Sequence, residues 1–243
     1  MKQVLFLCLI LLLIVFNESF LIKNIKFKST NYIVKPNNNI LKNFALLKDR
    51  EREYSNFGVF KEIAEYLDDT SDGFALDYPD LSKYPPLSIY GFLFLLTNIM
   101  YEIAGIKLQL SNANFAGLCV EIAGIISIYY HWAQLYYGPE KFEVQRVLLI
   151  DYCTASAAIF STTTLLANVL LKVADGIITP NNDLFLCVGS AMTSILCLLI
   201  SWVENENNEN YGRHYLTWHG LWHVFGAISA LYLSQLVIAG GIT

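Results

Sequence analysis

Six ionisable side chains stand out within the long apolar stretches of this sequence: Glu102, Glu121, His131, Asp151, His219 and His223. Placing such a group in hydrocarbon costs about 2.5 to 3.5 kcal/mol on insertion scales unless it is paired or ligated, so each one asks for a chemical reason. His219 and His223 stand in HGLWH at i, i+4. That spacing sets two imidazoles about 40° apart on one helical face, where they can meet a single metal ion or separately hydrogen-bond polar neighbours. Ser127 and His131 repeat the spacing in SIYYH, one turn separating a hydroxyl from a third imidazole. Asp151, in LLIDY, lies about as far beyond the next polar joint as His131 lies before it, so an antiparallel hairpin brings both to one depth. A carboxylate there can orient a histidine or a water molecule.

The elements that must position these residues are membrane spans. The 243 residues are 55% hydrophobic and 15% charged, against about 25% charged in a soluble domain. Five apolar stretches, 87–107, 113–137, 146–173, 184–203 and 214–238, are each long enough to cross about 30 Å of hydrocarbon at about 1.5 Å per residue. Polar joints at 138–143, 175–183 and 204–212 carry most of the charge in this half. The expected fold is therefore all-α, a polytopic transmembrane helix bundle over 87–243 with a polar N-terminal extension. A net charge of −5 and the lack of a dense Lys/Arg stripe argue against nucleic acid as a partner, leaving membrane lipids and other membrane proteins. Cys8, Cys119, Cys153, Cys187 and Cys197 are odd in number and form no CxxC pair, so they suggest neither a disulfide framework nor a thiolate zinc site.

Residues 1–20 read as a signal or targeting segment, with Lys2 ahead of an apolar run from Val4 to Phe16 that is short for a span. Residues 21–86 form the polar N-terminal region. Its first part, Leu21 to Arg50, is rich in Lys and Asn with no acid before Asp49, which suits either the second half of a bipartite plastid address or a low-complexity arm. Phe57, Phe60, Ile63, Ala64 and Leu67 recur at helical spacing around Lys61, Glu62 and Glu65, predicting one amphipathic helix. Asp68 to Pro86, with five Asp, three Pro and a Gly, predicts a polar linker that breaks any helix. The membrane expected is that of the endomembrane system or the cell surface, with a plastid membrane as the alternative.

Parity ties topology to site. The third stretch, 28 residues long, can be one tilted span or two short ones meeting near 161–164. If it is one span, His131, Asp151 and the HxxxH pair all fall near the same leaflet. If it is two, the HxxxH pair lands about a bilayer away and no common site forms.

Taken together, SIYYH, LLIDY and HGLWH resemble the Ser, His, Asp and HxxxH pattern of the CREST superfamily of membrane hydrolases. That group includes alkaline ceramidases, adiponectin and progestin receptors, and the myomaker-like proteins. The resemblance covers 87–243 and rests on these three motifs and the context WHGLWHVFGAISALY. It implies His131, His219 and His223 as zinc ligands, with Ser127 and Asp151 as catalytic residues beside the water that the metal activates. It further implies hydrolysis of a lipid amide or ester bond. The family has seven helices, whereas only 68 residues separate Asp151 from His219, room for two crossings where the family has four. A reduced CREST-like bundle keeps the parity but reshapes the substrate cavity, so the alternative is a receptor, fusion factor or complex subunit that keeps zinc as a structural brace.

The remaining intramembrane residues have other readings. Glu121 lies roughly 120° around the helix from Ser127 and so faces away from the site, read as a protonated core acid bonded to a neighbouring hydroxyl. With Glu102 it would matter more in a metal-free transporter or complex subunit. His214, beside Arg213, reads as interfacial, and Tyr136, Tyr137, Trp202 and Tyr211 as an aromatic belt. Lys141, Arg146 and Arg213 on the side of the site outnumber Lys107 and Lys172 opposite, which points to a cytoplasmic site, whereas a cleaved signal peptide would place that side in a lumen.

Overall fold

The computed structural model describes residues 58–71, 78–202 and 211–242. The expected targeting segment, the Lys/Asn-rich arm and parts of the linker and last joint lie outside them. The chain divides into two units, 1–66 and 67–243. The described residues of the first are helical and open α1 (Gly58–Ser71), with Ile63 and Tyr66 exposed. The predicted linker starts later than its composition suggests, because Asp68 to Ser71 remain helical. Asp68 forms a salt bridge with Arg146, and the Ser71 hydroxyl donates to the Asp68 carbonyl, which offsets the poor helix propensity of the stretch.

Among the described residues, the second unit holds five long helices: α2 (Ile89–Leu110), α3 (Asn114–Tyr137), α4 (Phe142–Ala174), α5 (Asn182–Ser201) and α6 (Tyr211–Gly240). All five are long and apolar enough to cross a membrane, and the chain is an integral, multi-pass membrane protein. Local chemistry sets their ends. Ser88 caps α2 by accepting from the Gly91 amide at 3.1 Å, and Asn181 caps α5 by accepting from the Leu184 amide at 3.1 Å. Gly138, at φ +79°, ends α3 in a conformation that an L side chain resists. The ambiguous third stretch is a single 33-residue helix, about 50 Å long and so longer than the roughly 30 Å of hydrocarbon.

The helices pack as a ring of four with the fifth outside it. α2 lies against α3 and α6, α4 lies against α3 and more lightly against α6, and α5 packs on the outer side of α6. α3 and α6 thus oppose each other across the ring. One apolar cluster, including Leu108, Val120, Val169, Cys187, Leu233 and Leu236, fills the end far from the histidines. A second, including Phe94, Tyr130, Leu135, Val144, Leu148 and Tyr215, fills the near end. Tyr78 and Leu81 belong to this second cluster, so the supposed linker packs against the bundle from residue 78 onward. The surface follows the inverse rule of a lipid-facing helix. On α3, Phe115, Leu118, Ile122, Ile125, Tyr129, Trp132 and Tyr136 form one exposed stripe, while Ser127, His131 and Gln134 are buried.

α2 and α3 approach to backbone contact. A Cβ at Gly105 would stand 2.9 Å from the Gly117 carbonyl oxygen, and one at Gly117 would stand 2.7 Å from that of Gly105. Gly189 on α5 meets no such neighbour.

Two outcomes follow. Gly117→Val is expected to lower stability in detergent by about 1–3 kcal/mol, read by thermal unfolding, while Gly189→Ala leaves it unchanged or slightly raised. Single cysteines at Glu140 and Asp175, in a variant lacking the native ones, should react with an impermeant maleimide from opposite sides of sealed vesicles. Labelling from the same side would show that α4 does not cross once.

Candidate metal centre

His131 projects from α3, and His219 and His223 from successive turns of α6, into the space between the two opposed helices. One ring nitrogen of each lies within 4.8 Å of the corresponding atom of the others. Ring centroids are 5.1, 5.1 and 4.8 Å apart, and the three residues are between 0% and 6% exposed. Ligand nitrogens about 2.0–2.1 Å from a tetrahedral zinc lie roughly 3.3 Å from one another, so ring movements of about an ångström close the cage. Phe94 of α2 touches all three rings, at 4.5 Å from His131 and 6.0 Å from His219 and His223. The ligands come from two helices, with α2 supplying a wall.

Hydrogen bonds determine which nitrogen of two histidines is a ligand. His131 Nδ1 lies 3.1 Å from Gln134 Oε1. With that amide oxygen as the acceptor, Nδ1 carries the proton and Nε2 keeps its lone pair. The Thr97 hydroxyl donates its one hydrogen to the Phe94 carbonyl at 2.6 Å, so toward His223 Nδ1, at 3.3 Å, it can only accept. His223 is thereby the same tautomer as His131. In both, the buried Nε2 has no hydrogen-bond partner in the protein. A buried lone pair left unmade costs about 1–3 kcal/mol, and a metal ion would satisfy both. His219 stacks on Tyr215 at 4.6 Å and meets Trp222 edge-on at 4.7 Å. The donor set fits zinc, which takes neutral imidazole from a partner-oriented histidine.

Ser127 and Asp151 form a neighbouring pair. Both are buried, with the Ser127 side chain in hydrogen-bonding reach of the Asp151 carboxyl, whose Oδ1 is left without a partner. Asp151 stands outside the three-histidine group and within electrostatic reach of Tyr101, Tyr130 and Tyr215, which line the same interior. Glu121 faces Gly105 and lies beside Glu102 in the seam between α2 and α3, so its neighbour is a second carboxyl. His214 Nε2 lies 3.0 Å from the Ile200 carbonyl, joining the start of α6 to the end of α5.

Sequence reasoning missed Gln134, Thr97, Phe94 and Tyr215. Gln134 carried a signal, since it follows His131 at i+3 on the same face; Thr97, on a different helix, carried none. No protein-family model, curated protein or solved structure matches this chain.

Removing either orienting partner is expected to weaken metal binding without abolishing it. Gln134→Leu and Thr97→Val should each lower zinc affinity about 10- to 100-fold, measured by competition with a chromophoric chelator. Unchanged affinity in both would exclude the assigned tautomers as the ligating state.

Proposed function

We propose that this protein is a zinc-dependent membrane hydrolase, reduced CREST-like in architecture, acting on an amide or ester bond of a lipid. The observation that carries the reading is the pair of buried, lone-pair-bearing Nε2 atoms of His131 and His223, grouped with His219 between two membrane-spanning helices. His131, His219 and His223 would hold the metal. Zinc held by three protein ligands supplies a Lewis acid that brings the pKa of water toward about 7.

The chain's own residues then have distinct tasks. The Asp151 carboxyl, with Oδ1 uncommitted, can take up a proton during attack on the carbonyl and return it to the departing amine or alcohol. Ser127 holds that carboxyl from one turn below His131. Phe94, Tyr215 and Tyr130 keep bulk water out, which strengthens each polar interaction inside. The lipid would come from the surrounding membrane, of the endomembrane system, the cell surface or a plastid, following an N-terminal targeting segment.

A second reading, a zinc brace in a receptor or complex subunit, is favoured by how closed the centre is: no histidine of the three exceeds 6% exposure.

Elemental analysis of protein purified in detergent without chelator should find about one zinc per chain, lost in the His219→Ala, His223→Ala double variant. On a hydrolysed lipid, Asp151→Asn should lower turnover about 10²- to 10⁴-fold with zinc retained. Zinc without hydrolysis of any amide or ester lipid would favour the brace, and no zinc in the wild type would sink both.

A further inference from the structure

Beside the histidines, the ring interior holds further polar atoms with hydrogen-bonding capacity to spare: the hydroxyls of Tyr130 and Tyr215, Nε2 of Gln134 and Oδ1 of Asp151, with Gln134 in hydrogen-bonding reach of Tyr215, a pairing that still leaves the phenol its own hydrogen and the amide a second N–H. The first three belong to residues at most 1% exposed, and each such atom costs about 1–3 kcal/mol if left unmade. They share one neighbourhood. The Tyr130 ring lies 4.7 Å from that of His131, and Tyr215 stacks on His219. Gln134 is tied to His131, while Asp151 is within electrostatic reach of both tyrosines. Gln134 commits its oxygen to His131 and so has only its NH₂ to offer, whereas a phenol can donate or accept.

The charge of the wall restricts what these atoms can bind. Among the described residues the buried polar set contains no lysine or arginine, and its one acid is Asp151. Arg146, five residues before Asp151 on α4, directs its terminal guanidinium nitrogen to Asp68 and is outside the buried set, although its Nε has no partner. A phosphate would lose its hydration beside a carboxyl with no cation to replace it, at a cost of several kcal/mol. Hydroxyl and carbonyl oxygens need only the donors present.

We propose that Tyr130, Tyr215 and Gln134 form a hydrogen-bonding subsite, beside the three histidines, for the hydroxyl or carbonyl oxygens of an uncharged lipid head. The inference rests on reading the histidine centre as a site for a lipid.

The test uses the full chain in phosphatidylcholine nanodiscs and an alkyne-tagged monoacylglycerol with a diazirine in its acyl chain. Phosphatidic acid with the same chain is the charged comparator, and zinc is measured in every sample. Tyr130→Phe and Tyr215→Phe each remove one hydroxyl, and Gln134→Glu keeps the acceptor for His131 while removing the donor. Saturable cross-linking of the monoacylglycerol is expected, at least about tenfold stronger than of phosphatidic acid, with apparent affinity falling about fivefold in each variant while zinc is kept. Should any one of these variants fail to fold, judged by thermal unfolding, the other two carry the comparison. Equal cross-linking by wild type and variants would overturn the subsite and leave the polar atoms as water-binding positions, and preference for phosphatidic acid would overturn it too. Wild-type protein without zinc but with the variant effect intact would overturn the hydrolase reading and leave the subsite standing.

Discussion

Three imidazoles enclosed between two opposed helices are the constraint on which this half of the bundle depends. Lipid offers no hydrogen bonds, so every polar atom placed at this depth must be satisfied from within. Gln134 and Thr97 do this for one nitrogen each of His131 and His223. In doing so they set both rings as the tautomer whose remaining nitrogen can bind a metal. The aromatic residues around them, Phe94, Tyr101, Tyr130 and Tyr215, fill the volume that the opposed helices leave open. A pair packed backbone on backbone, as α2 and α3 are at Gly105 and Gly117, would have no room for such a centre.

Much of this was legible in the sequence, and the reason is the severity of the bilayer as a solvent. Five apolar stretches of this length had to be helices because only a helix satisfies its backbone within one segment in lipid, and their polar joints gave the order of crossings. Parity did the rest: with the third stretch as one span, SIYYH, LLIDY and HGLWH share one end, as α3, α4 and α6 place them. The details that escaped depend on helix rotation and neighbour choice, which hydropathy does not encode. Thr97 acquires its role only because α2 packs against α6, and Phe94 only because it sits one turn earlier on that face. The segment from Tyr78 looked like a linker by its Asp and Pro content, yet Tyr78 and Leu81 are apolar enough to bury against Tyr215 and its neighbours.

α5 explains how a bundle this small can hold its centre. It stands outside the ring and contributes no residue to the histidine group, so its first task is topological: it returns the chain to the end where α6 must begin. It also sets the rotation of α6. The Ser194 hydroxyl donates to the Trp222 carbonyl at 2.9 Å, between the two histidines of the HxxxH pair, and Ser229 of α6 donates to the Cys187 carbonyl at 2.9 Å lower down. His214 adds a third link near the joint, to the Ile200 carbonyl. Because an α-helix turns about 100° per residue, a slip of one residue at these links would turn His219 and His223 away from His131. Interhelical bonds of this kind are each worth only about 0.6 kcal/mol in a membrane, too little to hold a bundle together. Three of them spaced along one seam suffice to select one rotation of α6 among those that bury its apolar face equally well. It is that selection, more than affinity between helices, that brings three imidazoles from distant parts of the chain to a common point.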